Sequence, residues 1–265
     1  MNTVLSPSLI FCISLIIHFF CIKYFARYYA FDRPDERKLH GNSKSLIGGL
    51  IFSLFFLAIG MLNLELPSWF YIGSLISIIL GALDDNFDIK WYYKLLVQVI
   101  IYGIITHNYF GQINTITFFD ISFPINQFSL MSIYLIWFIG IYNAVNLIDG
   151  LDALAGGFMV LLTISLIIIF SESINFLNIN LFLCVILLSY IVYNQRSSMV
   201  FMGDSGSLFL GYFIAVLPLI HFDTNDSTSN NIDITYFLII STYLIADTTR
   251  VFFTRIFLGK SPMDA

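Results

Sequence analysis

Nine stretches of the chain are almost continuously apolar, with short polar connections between them: residues 4–25, 46–63, 66–83, 93–110, 128–146, 154–171, 175–193, 207–222 and 233–252. A helix needs about 20 apolar residues to cross the hydrocarbon of a bilayer, with a range of about 17–25. The pattern therefore predicts about nine membrane-spanning helices, the second and eighth being short. Between the fourth and fifth runs, residues 111–127 ("GQINTITFFDISFPINQ") alternate and carry turn residues, which predicts a small β-hairpin outside the bilayer. Residues 224–231 read as a polar loop, and no internal repeat or low-complexity tract is present. The first apolar run, Leu9 to Cys21, has no Lys or Arg before Lys23 and is expected to be a retained helix rather than a cleaved signal.

Composition supports a membrane setting. The chain has 265 residues, 58% hydrophobic and 11% charged, with a mean hydropathy of +0.85. Soluble domains carry roughly a quarter charged residues, so this is the composition of an all-α polytopic membrane protein, read as one domain over 1–265. A net charge of −5 argues against nucleic acid as a partner. Cys12, Cys21 and Cys184 read as small hydrophobes in helix packing, and His18, His107 and His221 as packing residues.

Charge then gives an orientation. Threaded alternately through nine spans, all 12 Lys and Arg residues fall on one side, while the opposite loops carry only acidic residues such as Glu65, Asp120 and Asp226. Cytoplasmic loops collect Lys and Arg, so the N-terminus is expected outside and the C-terminus inside.

Three polar clusters fall on that cytoplasmic side. Asp84, Asp85 and Asp88 lie in "GALDDNFDIKWYYK"; on a helical continuation Asp84 and Asp88 would share a face. Adjacent carboxylates repel, and a divalent cation, or the nearby Lys90 and Lys94, would relieve that. The second cluster, "NAVNLIDGLDALAGG", sets Asn143, Asn146 and Gly150 on one stripe, with Asp149 and Asp152 around a glycine turn. In the third, "FMGDSGSLFLG", Asp204 sits between glycines just before the eighth span, where a helix start offers N–H groups to a phosphate. A fourth segment, "DRPDERKLHGNSKSLIGGL", brings Arg37, Lys38 and His40 together, either to hold an anionic substrate or as a basic loop drawn to anionic membrane lipids.

Taken in order, these motifs resemble the polyprenyl-phosphate N-acetylhexosamine-1-phosphate transferases, from about Asp32 to Pro262, with "ADTTRVFFTRIFLGKSP" fitting their lead-in to the last cytoplasmic loop. The resemblance implies transfer of an N-acetylhexosamine-1-phosphate from a UDP-sugar to undecaprenyl phosphate at a bacterial inner membrane. UMP is released, and Mg²⁺ is the cofactor, with Mn²⁺ as an alternative ion. It implies that Asp84 and Asp85 are the essential aspartates, as base or nucleophile, and that Lys94 faces a phosphate. Asn146 and Asp204 would contact the metal. Asp152 would hydrogen-bond uracil, with the ring between Gly150 and Phe201, and Asp88 and Asp149 would contribute secondarily. "SKSLIGG" lacks the family's usual proline, and Ala153 replaces a common glycine. The family's His-x-His-His loop would follow "GKSPMDA", so the chain is expected to be C-terminally incomplete relative to the family. An impaired scaffold and a transporter are the competing readings. The sugar, the downstream polymer and a homodimer stay open.

Overall fold

In a computed structural model, the structure describes residues 5–32, 44–109, 112–149, 154–171, 173–195, 200–224 and 231–259. Most of these are helical. The helices are α1 (Pro7–Phe25), α2 (Ile47–Asn63), α3 (Ser68–Phe87), α4 (Trp91–Tyr109), α5 (Gln127–Ile148), α6 (Leu154–Ile169), α7 (Ile174–Gln195), α8 (Gly203–Thr224), α9 (Thr235–Ile240) and α10 (Thr242–Phe257). Among the described residues, five stretches are long and apolar enough to cross a membrane: Pro7–Tyr28, Ser68–Phe87, Gln127–Ile148, Ile174–Gln195 and Gly203–Asp223. That is fewer than the nine expected. Helices α2 and α6 are apolar but shorter, and α4 opens on Trp91, Tyr92, Tyr93 and Lys94 and ends in polar residues. The last expected span, 233–252, is not one helix. It breaks at Ser241 between α9 and α10, and α10 carries Asp247, Arg250 and Arg255, with Asp247 paired to Arg250 at 2.7 Å.

Helix α8 forms the centre of the bundle. It is almost wholly buried and packs against α2, α3 and α5. Glycines allow this closeness: a Cβ at Gly81 of α3 would overlap the Asp204 carbonyl, and one at Gly49 of α2 would overlap Met202 and Gly206. The Ala215 carbonyl of α8 accepts from the Tyr134 hydroxyl (3.1 Å) and the Trp137 indole (3.0 Å) of α5. These bonds tie α5 to the middle of α8.

Two small sheets flank the bundle. Strands β1 (Phe31–Asp32) and β2 (Lys44–Ser45) pair antiparallel. Strands β3 (Thr115–Phe118) and β4 (Ile121–Pro124) also pair antiparallel, joined by Phe119 and Asp120 at φ 46° and 61°. Two successive positive φ values give the turn twist that suits a tight hairpin. Strand β5 (Asn231–Asp233) adds parallel to β3, an element the reading of 224–231 as a loop did not anticipate. The three cysteines are free. His18 is fully buried, its Nδ1 2.8 Å from the Ser14 carbonyl and its ring stacked on Tyr193.

Replacing Gly81 with alanine is expected to force α3 and α8 apart and cost about 1–3 kcal/mol, the usual range for overpacking. Gly103→Ala, where a Cβ meets nothing within 4 Å, serves as the control and is expected to keep or slightly raise stability. Thermal unfolding of the detergent-solubilised protein reads both; equal midpoints for the two variants would refute the packing argument.

Candidate active site at one end of the bundle

The C-terminal ends of α1, α3 and α5 and the starts of α2, α4 and α8 converge at one end of the molecule. The sequence suggested free N–H groups at the start of α8. The structure fills them from within. The Asp85 carboxylate, at the end of α3, accepts from the Asp204 N–H (Oδ1, 2.7 Å) and from the Ser205 N–H (Oδ2, 3.3 Å). Its Oδ2 also accepts from the Tyr29 hydroxyl at 3.0 Å. An anion at a helix amino end satisfies donors that have no intrahelical partner and opposes the positive pole of the helix. This cap, supplied from another helix, explains why α8 begins at Gly203, ahead of the expected residue 207. Gly203 has φ +70°, and a Cβ there would stand 2.8 Å from Asp85 Oδ1 and from the Leu46 carbonyl. Only glycine meets both conditions without strain.

Asp84, one residue earlier on α3, meets a different set of partners. Its Oδ1 accepts from the Ile89 N–H at 2.7 Å, and its Oδ2 pairs directly with the Lys94 ammonium at the start of α4. Lys94 Nζ also lies 3.6 Å from Asp204 Oδ2. One cation thus bridges carboxylates from two helices, which relieves the repulsion between them. Asp88 does not share a helical face with Asp84. Helix α3 stops at Phe87, and Asp88 takes a left-handed conformation (φ 51°, ψ 69°) with its N–H on the Asp84 carbonyl. Its side chain is exposed.

Helix α5 closes the next side. Asn146 Oδ1 accepts from the Ser207 hydroxyl at 2.9 Å, tying α5 to the first turns of α8. Asn143 and Gln98 of α4 exchange two hydrogen bonds of 2.9 Å each. Asp149 lies just beyond α5, its N–H 3.3 Å from the Asn146 carbonyl. Burial, with the charge of Asp85 adding to it, pushes its carboxyl up to about 7. Burial and Asp85 likewise raise the Tyr29 phenol. Phe201 belongs to the strap before α8: its N–H donates to the Ser45 carbonyl (2.9 Å), its carbonyl accepts from Gly48 (3.0 Å), and Lys44 Nζ lies 4.5 Å from its ring centroid.

Asp84, Asp85, Lys94, Asn146, Asp149, Phe201 and Asp204 are therefore neighbours. Gly150, Asp152, Arg37, Lys38 and His40 lie outside the described residues. Three participants escaped the sequence reading: Tyr29, Gln98 and Ser207. Ser207 stood inside a recognised motif; Tyr29 and Gln98 gave no local signal, since each matters only through a partner far along the chain. As to a metal, no group of three or more His, Cys, Asp or Glu side chains able to hold one occurs among the described residues. The oxygen-rich pair Asp204 and Asn146 suits Mg²⁺ in donor type, because that ion is usually held by one or two carboxylates together with substrate phosphates.

The profile of glycosyl transferase family 4 matches residues 68–221, from the start of α3 to near the end of α8. The chain belongs to glycosyl transferase family 4. A probable undecaprenyl-phosphate N-acetylglucosaminyl 1-phosphate transferase of Bacillus subtilis is 33% identical over 251 residues, covering 89% of this chain and 66% of that protein. An undecaprenyl-phosphate alpha-N-acetylglucosaminyl 1-phosphate transferase of Thermotoga maritima is 30% identical over 192 residues, 72% of this chain and 57% of that protein. A phospho-N-acetylmuramoyl-pentapeptide-transferase of Lactobacillus gasseri is 31% identical over 195 residues, 65% of this chain and 60% of that protein. The family-4 chain thus spans just under two thirds of the first of these relatives and less of the other two. The match includes every described carboxylate of the site and leaves Tyr29 outside it.

Asp149 sets a pH dependence of stability. Its folded-state value of about 7 lies above the ordinary aspartate value of 3.8, so between these limits the folded protein holds more protons than the unfolded chain. Its contribution is therefore lost as pH rises through that window. Asp149→Asn is expected to match the wild type near pH 4 and to exceed it at pH 8 by about 1 kcal/mol, partial exposure screening the full effect. Thermal unfolding at both pH values checks this, and identical shifts at the two would contradict it.

Proposed function

We propose that this chain transfers N-acetylglucosamine-1-phosphate, or a closely related N-acetylhexosamine-1-phosphate, from a UDP-sugar to undecaprenyl phosphate, releasing UMP. The step would initiate a lipid-linked cell-envelope polysaccharide at the cytoplasmic face of a bacterial inner membrane. The observation that carries this reading is Lys94 held between Asp84 and Asp204, beside the amino end of α8. Attack of one phosphate on a pyrophosphate gathers negative charge in one place, and catalysis depends on positioning and neutralising it. Lys94 is the cation suited to meet a phosphate, exchanging carboxylate oxygens for substrate oxygens. Asp84, at the end of α3, is the carboxylate placed to take a proton from the lipid phosphate once Lys94 turns away. Asp204 and Asn146 would hold Mg²⁺, which when bound supplies neutralisation of the pyrophosphate. Asp152 would bind uracil, with the ring between Gly150 and Phe201, and Arg37, Lys38 and His40 would attract the anionic substrates. The relatives' names support the acceptor and the phosphosugar. The twelve cations on one side of the threaded sequence support a cytoplasmic site.

The purified protein is expected to release UMP from UDP-GlcNAc only when both Mg²⁺ and undecaprenyl phosphate are present. Asp84→Asn and Asp204→Asn are each expected to lower kcat by a factor of about 100 or more, the usual scale for a lost electrostatic or acid–base group. Normal turnover in both variants would reject the site, and solute flux without UMP release would favour a transporter.

A further inference from the structure

We propose that Tyr29 is a positioning residue of this site: its hydroxyl fixes the Asp85 carboxylate on the amino end of α8 and so holds Asp204 in place. The inference rests on the proposed function for its catalytic consequence, but its structural core stands on geometry alone.

Asp85 has two oxygens with unequal support. Oδ1 has a short bond from the Asp204 N–H (2.7 Å), whereas the bond from the Ser205 N–H to Oδ2 is long (3.3 Å). The Tyr29 hydroxyl adds a bond of 3.0 Å to that weaker oxygen. An aspartate carboxylate turns about a broad, roughly two-fold torsion, so one well-held oxygen does not fix the plane. Holding the second does. Lys94, the ammonium at the start of α4, is not free to take that role, being engaged by Asp84 and Asp204.

Tyr29 is itself held firmly. It follows a 3-10 turn over Ala26–Tyr28, with its own N–H on the Ala26 carbonyl (3.4 Å). The next residue, Ala30, accepts from the Leu46 N–H at 2.9 Å, and β1 pairs with β2 immediately after. The Ser45 hydroxyl donates to the Ala26 carbonyl at 3.0 Å. The phenol therefore projects from a braced segment. Of the side chains that bond Asp85 among the described residues, it is the one from outside α8.

The test is Tyr29→Phe, which removes one oxygen and keeps the ring. Amide hydrogen exchange of the peptide containing Asp204 and Ser205 is expected to quicken about tenfold, as for a hydrogen bond to a charged group withdrawn from a helix end. In the transferase assay kcat is expected to fall about five- to tenfold, with KM for UDP-GlcNAc within about twofold. Wild-type exchange in Tyr29→Phe would overturn the proposal. So would faster exchange with unchanged kcat, the outcome of a merely structural role. In an Asp85→Ala background, which removes the acceptor, Tyr29→Phe is expected to add no further exchange; an additional increase would show that Tyr29 acts by another route. If the wild-type protein releases no UMP, the proposed function fails, and the exchange measurements alone decide whether Tyr29 holds Asp85.

Discussion

The amino end of α8 is largely covered by the protein, and its first N–H groups need an acceptor from within it. Asp85 is that acceptor. Much else depends on it, because α8 is the helix against which α2, α3 and α5 all pack. Setting the start of α8 at Gly203 puts Asp204 in the first turn, beside Lys94, and Ser207 one turn later, against Asn146. The close approaches at Gly81 and Gly49 bring α3 and α2 near enough for that geometry. A single buried ion–dipole contact thus fixes where the central helix begins and which side chains its first turns present.

Electrostatically the site is poorly balanced. Asp84, Asp85, Asp149 and Asp204 converge, and the described residues bring Lys94 to meet them. Backbone donors and the Tyr29 hydroxyl hold Asp85, but they contribute dipoles rather than charge. The proposed reaction between two phosphate-bearing substrates would call for a further cation to offset that imbalance.

Much of this arrangement was legible from residue order. Apolar runs foretold helices because a bilayer imposes a length on them, and the clusters around Asp84, Asn146 and Asp204 stood out because polar groups at helix ends in so apolar a chain need a reason. What escaped was set by distance along the chain. Nothing local in "ARYYAFD" marks Tyr29 over Tyr28, and Gln98 looks like one polar residue in an apolar helix until Asn143 is opposite it. The periodicity that grouped Asp88 with Asp84 failed because α3 ends at Phe87, where the Asp84 carboxylate bonds to the Ile89 N–H and turns the chain. The break at Ser241 was likewise hidden, since an apolar run gives no sign of where a helix interrupts itself.

The exchange of hydrogen bonds between Gln98 and Asn143 works like a key between two rods. Each amide satisfies the other, so sliding α4 along α5 by a single turn would leave both stranded among hydrocarbon side chains, at a cost of a few kcal/mol. Lys94 is one turn from Gln98 on the same face of α4. The reach of the ammonium toward Asp84 and Asp204 is therefore indexed by a neutral pair deeper in the bundle, which carries no charge and touches neither carboxylate.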